Sequence, residues 1–242
     1  QASNSVRVRS TDSGAPAQYA EAVFTVTLLD VAEQPTDITL SNRSVAENST
    51  AGTEVGTFAT PAEGAYTYAL VGGPGGENNA AFTLDGDVLR TAQPFDFEMN
   101  SSLSIRVQST HTTNPAVSYT GTFTVLVTDV NETPTGIALE NNNVAENAGV
   151  NAPVGVLSTQ DPDTGQIHFY TLSDGPGDAD NGLFNINGAL LRASNSFDYE
   201  TQAAYSIRVR ATDGGGEWTE AVFSVTVQDA NEPPRSIALA PA

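Results

Sequence analysis

The chain has 242 residues, of which 29 are acidic and nine basic, for a formal charge of −20. That balance argues against nucleic acid and anionic membrane surfaces as partners, since both would repel it. All the basic residues are arginine, cysteine is absent and no apolar run reaches membrane-spanning length, which excludes lysine-based Schiff-base chemistry, disulfides, thiolate metal sites and direct membrane insertion by this segment.

Residues 1–34 read as the C-terminal half of a repeated unit. Ser5–Val–Arg–Val–Arg–Ser–Thr–Asp12 returns as Ser206–Ile–Arg–Val–Arg–Ala–Thr–Asp213, and Val23–Phe–Thr–Val–Thr–Leu28 as Val222–Phe–Ser–Val–Thr–Val227. About three strands are expected there, too few to close a sandwich, so upstream native material or a strand-adding partner is expected to complete the sheet. The sequence opens in mid-pattern, as a cut from a longer chain would.

A linker follows, Asp30–Val–Ala–Glu–Gln–Pro35, which returns as Asp129–Val–Asn–Glu–Thr–Pro134 and Asp229–Ala–Asn–Glu–Pro–Pro234. In each, oxygen donors close an apolar strand and a proline prevents its continuation. The linkers delimit two whole repeats, repeat I (35–134) and repeat II (135–234), and 235–242 reads as the first strand of another unit. The period is about 100 residues. Val45–Ala–Glu–Asn48 pairs with Val144–Ala–Glu–Asn147, and Phe95–Asp–Phe–Glu98 with Phe197–Asp–Tyr–Glu200.

Within a repeat the apolar period is two. Leu103, Ile105 and Val107 alternate with Ser104, Arg106 and Gln108, and Tyr205, Ile207 and Val209 with Ser206, Arg208 and Arg210. Such alternation marks half-buried antiparallel strands. Asp85–Gly86 and Asn187–Gly188 are hairpin turn signals. About seven strands per repeat and no helix predict an all-β chain of tandem Greek-key β-sandwiches with an immunoglobulin-like layout.

Acidic motifs recur in register. Repeat II carries Glu146, Asp161–Pro–Asp163, Asp198–Tyr–Glu200, Asp213 and Asp229–Ala–Asn–Glu232; repeat I keeps Glu47, Asp96–Phe–Glu98 and Asp129–Val–Asn–Glu132. Calcium takes six to eight oxygens in flexible geometry, so a site would have to be assembled from several of these segments. An EF-hand is disfavoured, because the twelfth positions counted from Asp161 and Asp178 are Leu172 and Ala189. Carboxylates repeated in tandem argue for structure over a single active site, and no Ser–His–acid set stands out, so an enzyme is not expected.

In order and spacing, these motifs resemble cadherin-type extracellular repeats, in the form common in large bacterial surface proteins, over nearly the whole chain. The resemblance implies calcium between successive repeats. At the repeat I–II junction it implies Glu47, Asp96, Glu98, Asp129, Asn131 and Glu132 as ligands from the first side. Asp161, Asp163 and Asp213 would come from the second, with Asn181 as a backbone or amide ligand. Glu132 and Thr133 depart from the family's usual aspartate and asparagine. Upstream of repeat I the set is degraded: Ala32 replaces the linker asparagine, Thr60–Pro–Ala62 stands for Asp–Pro–Asp, and His111 replaces an aspartate. The junction after Pro234 has Glu146, Asp198, Glu200, Asn231 and Glu232, with its partner repeat outside this chain.

The implied function is a calcium-stiffened adhesion or stalk segment of a larger extracellular, cell-surface protein. Its partners would be other cadherin-like repeats in the same or neighbouring chains. Alternatives are a structural subunit of a filament or surface layer, and a carbohydrate-binding module for cell-surface polysaccharide, with Trp218 as its aromatic platform. His168 reads as a surface or core-edge histidine. Asn42, Asn48, Asn100 and Asn131 open glycosylation sequons, and a glycan on Asn131 would compete with its ligand role.

Overall fold

The structure is a computed structural model that describes residues 3–28, 31 and 33–233. The expected strand at 235–242, and Asp30 and Ala32 of the first linker, lie outside these residues. The chain divides into two compact units, Gln1–Asp129 and Val130–Ala242.

The half-repeat forms two strands among the described residues, β1 (Ser3–Thr11) and β2 (Tyr19–Thr27), not the three expected. They pair antiparallel around a turn closed on Asp12, whose carboxylate accepts the N–H groups of Gly14 and Gln18 at 3.1 and 2.9 Å. Val6, Val8, Phe24, Val26 and Leu28 are all exposed. Of their counterparts in repeat II, Ile207, Val209, Val225 and Val227 lie in its core and Phe223 packs against it.

Repeat I contains β3 (Thr39–Leu40), β4 (Ser44–Ala46), β5 (Glu54–Ala59), β6 (Tyr66–Leu70), β7 (Phe82–Asp85), β8 (Val88–Thr91), β9 (Ser102–His111) and β10 (Ser118–Thr128). They form two four-stranded sheets, β3-β5-β8-β7 and β4-β10-β9-β6. In repeat II, β11 (Gly136–Leu139), β12 (Asn143–Ala145), β13 (Pro153–Gln160), β14 (Phe169–Leu172), β15 (Phe184–Asn187), β16 (Leu190–Ala193), β17 (Ala204–Thr212) and β18 (Trp218–Gln228) follow the same plan. Their sheets are β11-β13-β16-β15 and β12-β18-β17-β14. The expected seven strands become eight segments because the first strand breaks and changes sheet. In repeat I, Asn42 sits at the break and its amide donates to Ser44 O and Val55 O, so backbone acceptors at the crossover stay satisfied. The second piece of each broken strand, β4 or β12, pairs parallel with the last strand of its repeat.

Each repeat has its own core, and the alternation read from the sequence decides which side chains enter it. Leu103, Ile105 and Val107 of β9 are buried, while Ser104, Arg106 and Gln108 face outward. Ile207 and Val209 do the same in β17. Truncating a fully buried isoleucine such as Ile105 or Ile207 to alanine costs about 2–5 kcal/mol. Gly86 and Gly188 adopt φ of 66° and 63°, the left-handed backbone that two-residue hairpin turns require. The only helical turns among the described residues are short 3-10 turns at Asn79–Ala81 and Asn181–Leu183.

Candidate metal centres

Each repeat carries acidic groups at its C-terminal end, its tail, placed there by the core. Val45 and Val144 are buried beside the last strand, which sets the next-but-one residues, Glu47 and Glu146, at the sheet end with only 3% exposure each. Asn48 and Asn147 then turn the chain through left-handed backbone, φ 56° and 55°, and donate their N–H groups to Phe95 O and Phe197 O. Asparagine tolerates that conformation better than most residues. This backbone bond brings the Val–Ala–Glu–Asn motif against the Phe–Asp–x–Glu motif. The Glu47 carboxylate accepts the Phe97 N–H at 2.8 Å; that of Glu146 accepts Tyr199 N–H at 3.0 Å and Ala230 N–H at 2.6 Å.

Glu47, Glu98 and Asp129 each offer an oxygen within 4.8 Å of the others, and so do Glu146, Glu200 and Asp229. A spacing of 4.8 Å is about twice a calcium–oxygen bond, so one calcium ion can touch all three oxygens of a set. Asp96 also shapes the site. Its Oδ1 accepts the Met99 N–H at 2.8 Å and closes the turn that carries Glu98, as Asp198 does for Glu200 with the Thr201 N–H at 3.3 Å. The crowding of like charge is visible in Glu200. Its own backbone N–H lowers the pKa, but burial, Glu146, a hydrogen bond with Asp198 and Glu232 outweigh that and raise it above the ordinary glutamate value.

The N-terminal end, or head, of repeat II collects the remaining expected residues of its own unit. Asp163 and Asp213 are buried, 5% and 3% exposed. Asp213 Oδ1 accepts the N–H groups of Gly216 and Glu217 at 2.6 and 2.9 Å, and its Oδ2 accepts the Asn131 amide at 3.0 Å. Burial alone would raise the Asp213 pKa; the donors from Asn131, Gly216, Glu217 and Gly215 prevail and hold it below the ordinary aspartate value. Gly215 is where the linker amide sits. A Cβ there would lie 2.2 Å from the Asn131 side chain, so only glycine permits this approach. Asp163 Oδ2 accepts the Glu132 backbone N–H at 2.7 Å, while its buried Oδ1 has no hydrogen-bond partner. A buried carboxylate oxygen left over in this way is costly unless a cation completes it, so the donor set fits a hard divalent ion.

Three residues not singled out as site residues belong to this head. His168 Nε2 is 2.6 Å from Asp161 Oδ2, with both side chains almost covered, and Asp161 Oδ1 accepts the Asp163 N–H. Gln166 donates to Asn131 Oδ1 at 2.8 Å and accepts from Gly214 N–H. Glu217 accepts the Thr133 hydroxyl at 3.2 Å. Nothing in the sequence marks them, since each acts through a loop closure rather than a motif. The groups of Asn181 are engaged within its own repeat. Its amide is committed to Ser173 O and the Arg208 N–H at 2.9 Å each, and its carbonyl to the Phe184 N–H.

The head of repeat I corrects one sequence alignment. The ladders pair Leu40 with Phe58 and Leu139 with Leu157, and the next bond repeats too: Thr60 with the Tyr68 hydroxyl at 3.1 Å, Thr159 with that of Tyr170 at 2.9 Å. In this register Thr60 takes the place of Thr159, not of Asp161, and the loop from there to Tyr68 is shorter than the one to Tyr170 and carries no aspartate. The sequence comparison slipped because proline at 61 mimicked the proline of Asp–Pro–Asp. His111 does hold the place of Asp213: its N–H bonds to Val117 O as that of Asp213 bonds to Glu217 O. Trp218 is half-exposed and carries the Arg210 guanidinium 4.0 Å over its ring, so one aromatic face is already taken.

Comparison with known proteins places this geometry among relatives. Residues 141–228 match the cadherin domain family. Mouse protocadherin-16 is 31% identical over 250 aligned residues, covering 91% of this chain, and the chain spans 8% of that protein's length. The solved structure of human protocadherin-24 EC1-2 superposes with a TM-score of 0.64 at 19% identity, covering 84% of this chain and 100% of that one. The protocadherin gammaB7 EC3-6 cis-dimer structure gives 0.62 at 20% identity, over 94% of this chain and 58% of that one. The sandwiches described above are therefore cadherin-like in fold.

Proposed function

We propose that this chain is a non-enzymatic adhesion segment of a larger extracellular protein, in which calcium bound at the ends of the repeats stiffens the array. The observation that carries the reading is the recurrence of one three-carboxylate arrangement at both tails, Glu47–Glu98–Asp129 and Glu146–Glu200–Asp229. A single active site does not repeat along a chain; a structural ion at each unit does. At the head of repeat II, Asp163 with its spare buried oxygen, Asp161 and Asp213 are the donors proposed for the same role, and Asn131 and Glu132 contribute through the linker.

Cadherin-like repeats, in this polypeptide or a neighbouring one, are the proposed partners. The protocadherin gammaB7 EC3-6 cis-dimer among the similar structures supports this. The bacterial setting suggested by the motif set rests on sequence alone, and the relatives whose source is given above are mammalian. Trp218, with one ring face taken by Arg210, gives no support to a polysaccharide site.

Titration calorimetry of the full chain with calcium tests the proposal. Saturable binding, lost on Glu98→Gln and Glu200→Gln at their respective sites, is the expected result. A flat thermogram, together with identical unfolding in calcium and in chelator, would sink it.

A further inference from the structure

The head of repeat I has no counterpart to the carboxylates of the repeat II head, yet its linker is held. Gln34 stands just before Pro35, and its side-chain amide works at both ends: Nε2 donates to Ala116 O at 2.8 Å and Oε1 accepts the Ser118 N–H at 3.1 Å. An amide placed this way imitates a strand residue, filling a backbone donor and a backbone acceptor at the start of β10. In repeat II the same linker position is Thr133, which reaches only the Glu217 side chain.

Behind the clip, the space of the missing aspartate is filled. Gly64 has φ +100°, and a Cβ built on it would fall 2.2 Å from His111 Nε2. The imidazole therefore lies where a side chain at 64 would be. It is 9% exposed, stands edge-on to the Tyr66 ring at 5.2 Å between centroids, and its Nδ1 accepts the Thr113 N–H at 3.3 Å. Among the described residues, Glu33 and Glu63 are the charged groups that line the cavity of about 510 Å³ beside the linker.

We propose that the head of repeat I is a cation-independent linker clamp, in which the His111 ring plugs the space left by Gly64 and the Gln34 amide clips the linker to β10. The proposal depends on the calcium reading of repeat II only for its contrast, because both devices are internal to their own unit.

Amide hydrogen exchange on the full chain tests it, with the Ser118 N–H as reporter. Protection of Ser118 should be the same in calcium and in EGTA. Gln34→Ala should speed its exchange about five- to tenfold in both buffers, the equivalent of one lost hydrogen bond. Gly64→Ala should disturb the head by striking the ring, and Gly64→Ala combined with His111→Ala should restore Ser118 protection relative to the single variant. Loss of Ser118 protection in EGTA alone, or no change in Gln34→Ala, would overturn the clamp. If calcium leaves every amide of the chain unchanged, the calcium reading fails while the Gln34 and Gly64 variants still judge this one.

Discussion

The head of repeat II carries three carboxylates, Asp161, Asp163 and Asp213, whereas repeat I has His111 in the place of Asp213 and no aspartate in the shorter loop after Thr60. The backbone around them is alike: one Thr–Tyr bond, one turn closure, one proline-terminated linker. The charged head satisfies its linker through Asn131 and the Glu132 N–H, but leaves a buried oxygen over. The head of repeat I uses an amide and a ring in place of these aspartates. On the proposed reading, one frame supports two kinds of head, one completed by an ion from solution and one completed by its own side chains. The choice is made by three side chains, not by the fold.

The comparison can be broken most sharply at Asp163. Asp163→Ala should weaken calcium binding beyond the roughly 10–100-fold typical for losing an outer partner of a metal site. His111→Ala should leave the calorimetric isotherm unchanged, and equal losses for the two variants would mean that the heads do not differ as described. The next largest effect is expected at Gly215. Gly215→Ala drives a methyl group into the Asn131 amide and should destabilise repeat II by about 1–3 kcal/mol, read from its urea midpoint. The same measurement should leave the transition of repeat I in place, because the two cores are separate.

Acid sharpens the contrast on the outer sheet faces. Arg208 first, with help from Ser173 and Arg210 and against a burial cost, holds Glu220 down to about 2. A carboxylate depressed on folding contributes stability that is complete above its unfolded pKa, near 4.5, and is lost as pH falls toward about 2. Wild type should therefore exceed Glu220→Gln in unfolding midpoint at pH 6, with the gap closing across that window. In repeat I the equivalent residue is Thr120, and Arg106 Nε is buried without a partner. Thr120→Glu should supply one, for a gain of about 0–1 kcal/mol that also disappears in acid. No gain at neutral pH would show that the outer faces do not share this pairing.

How much of this could be read beforehand follows from what repeats. Period-two alternation gave the sandwiches, because burial of one face dictates it, and Asp–Gly and Asn–Gly marked hairpins through their backbone alone. The tail glutamates were legible because Val45 and Val144 lock their motifs to the core. His168, Gln166 and Gln34 were not, since each is joined to its partner by loop closure across seven to 84 residues, with no pattern to announce it. The break in the first strand was also hidden: two or three residues in each sheet read as one strand.

That break has a mechanical consequence. Ser44–Ala46 and Leu126–Thr128 run side by side in the same direction, as do Asn143–Ala145 and Thr226–Gln228. A chain pulled from its two ends draws such strands past each other in opposite senses. The load then falls on all the bonds between them at once, rather than on one bond at a time as in a peeled hairpin. Each sandwich is thereby fastened like a lap joint, strongest along the line in which a tether between two surfaces would be stretched.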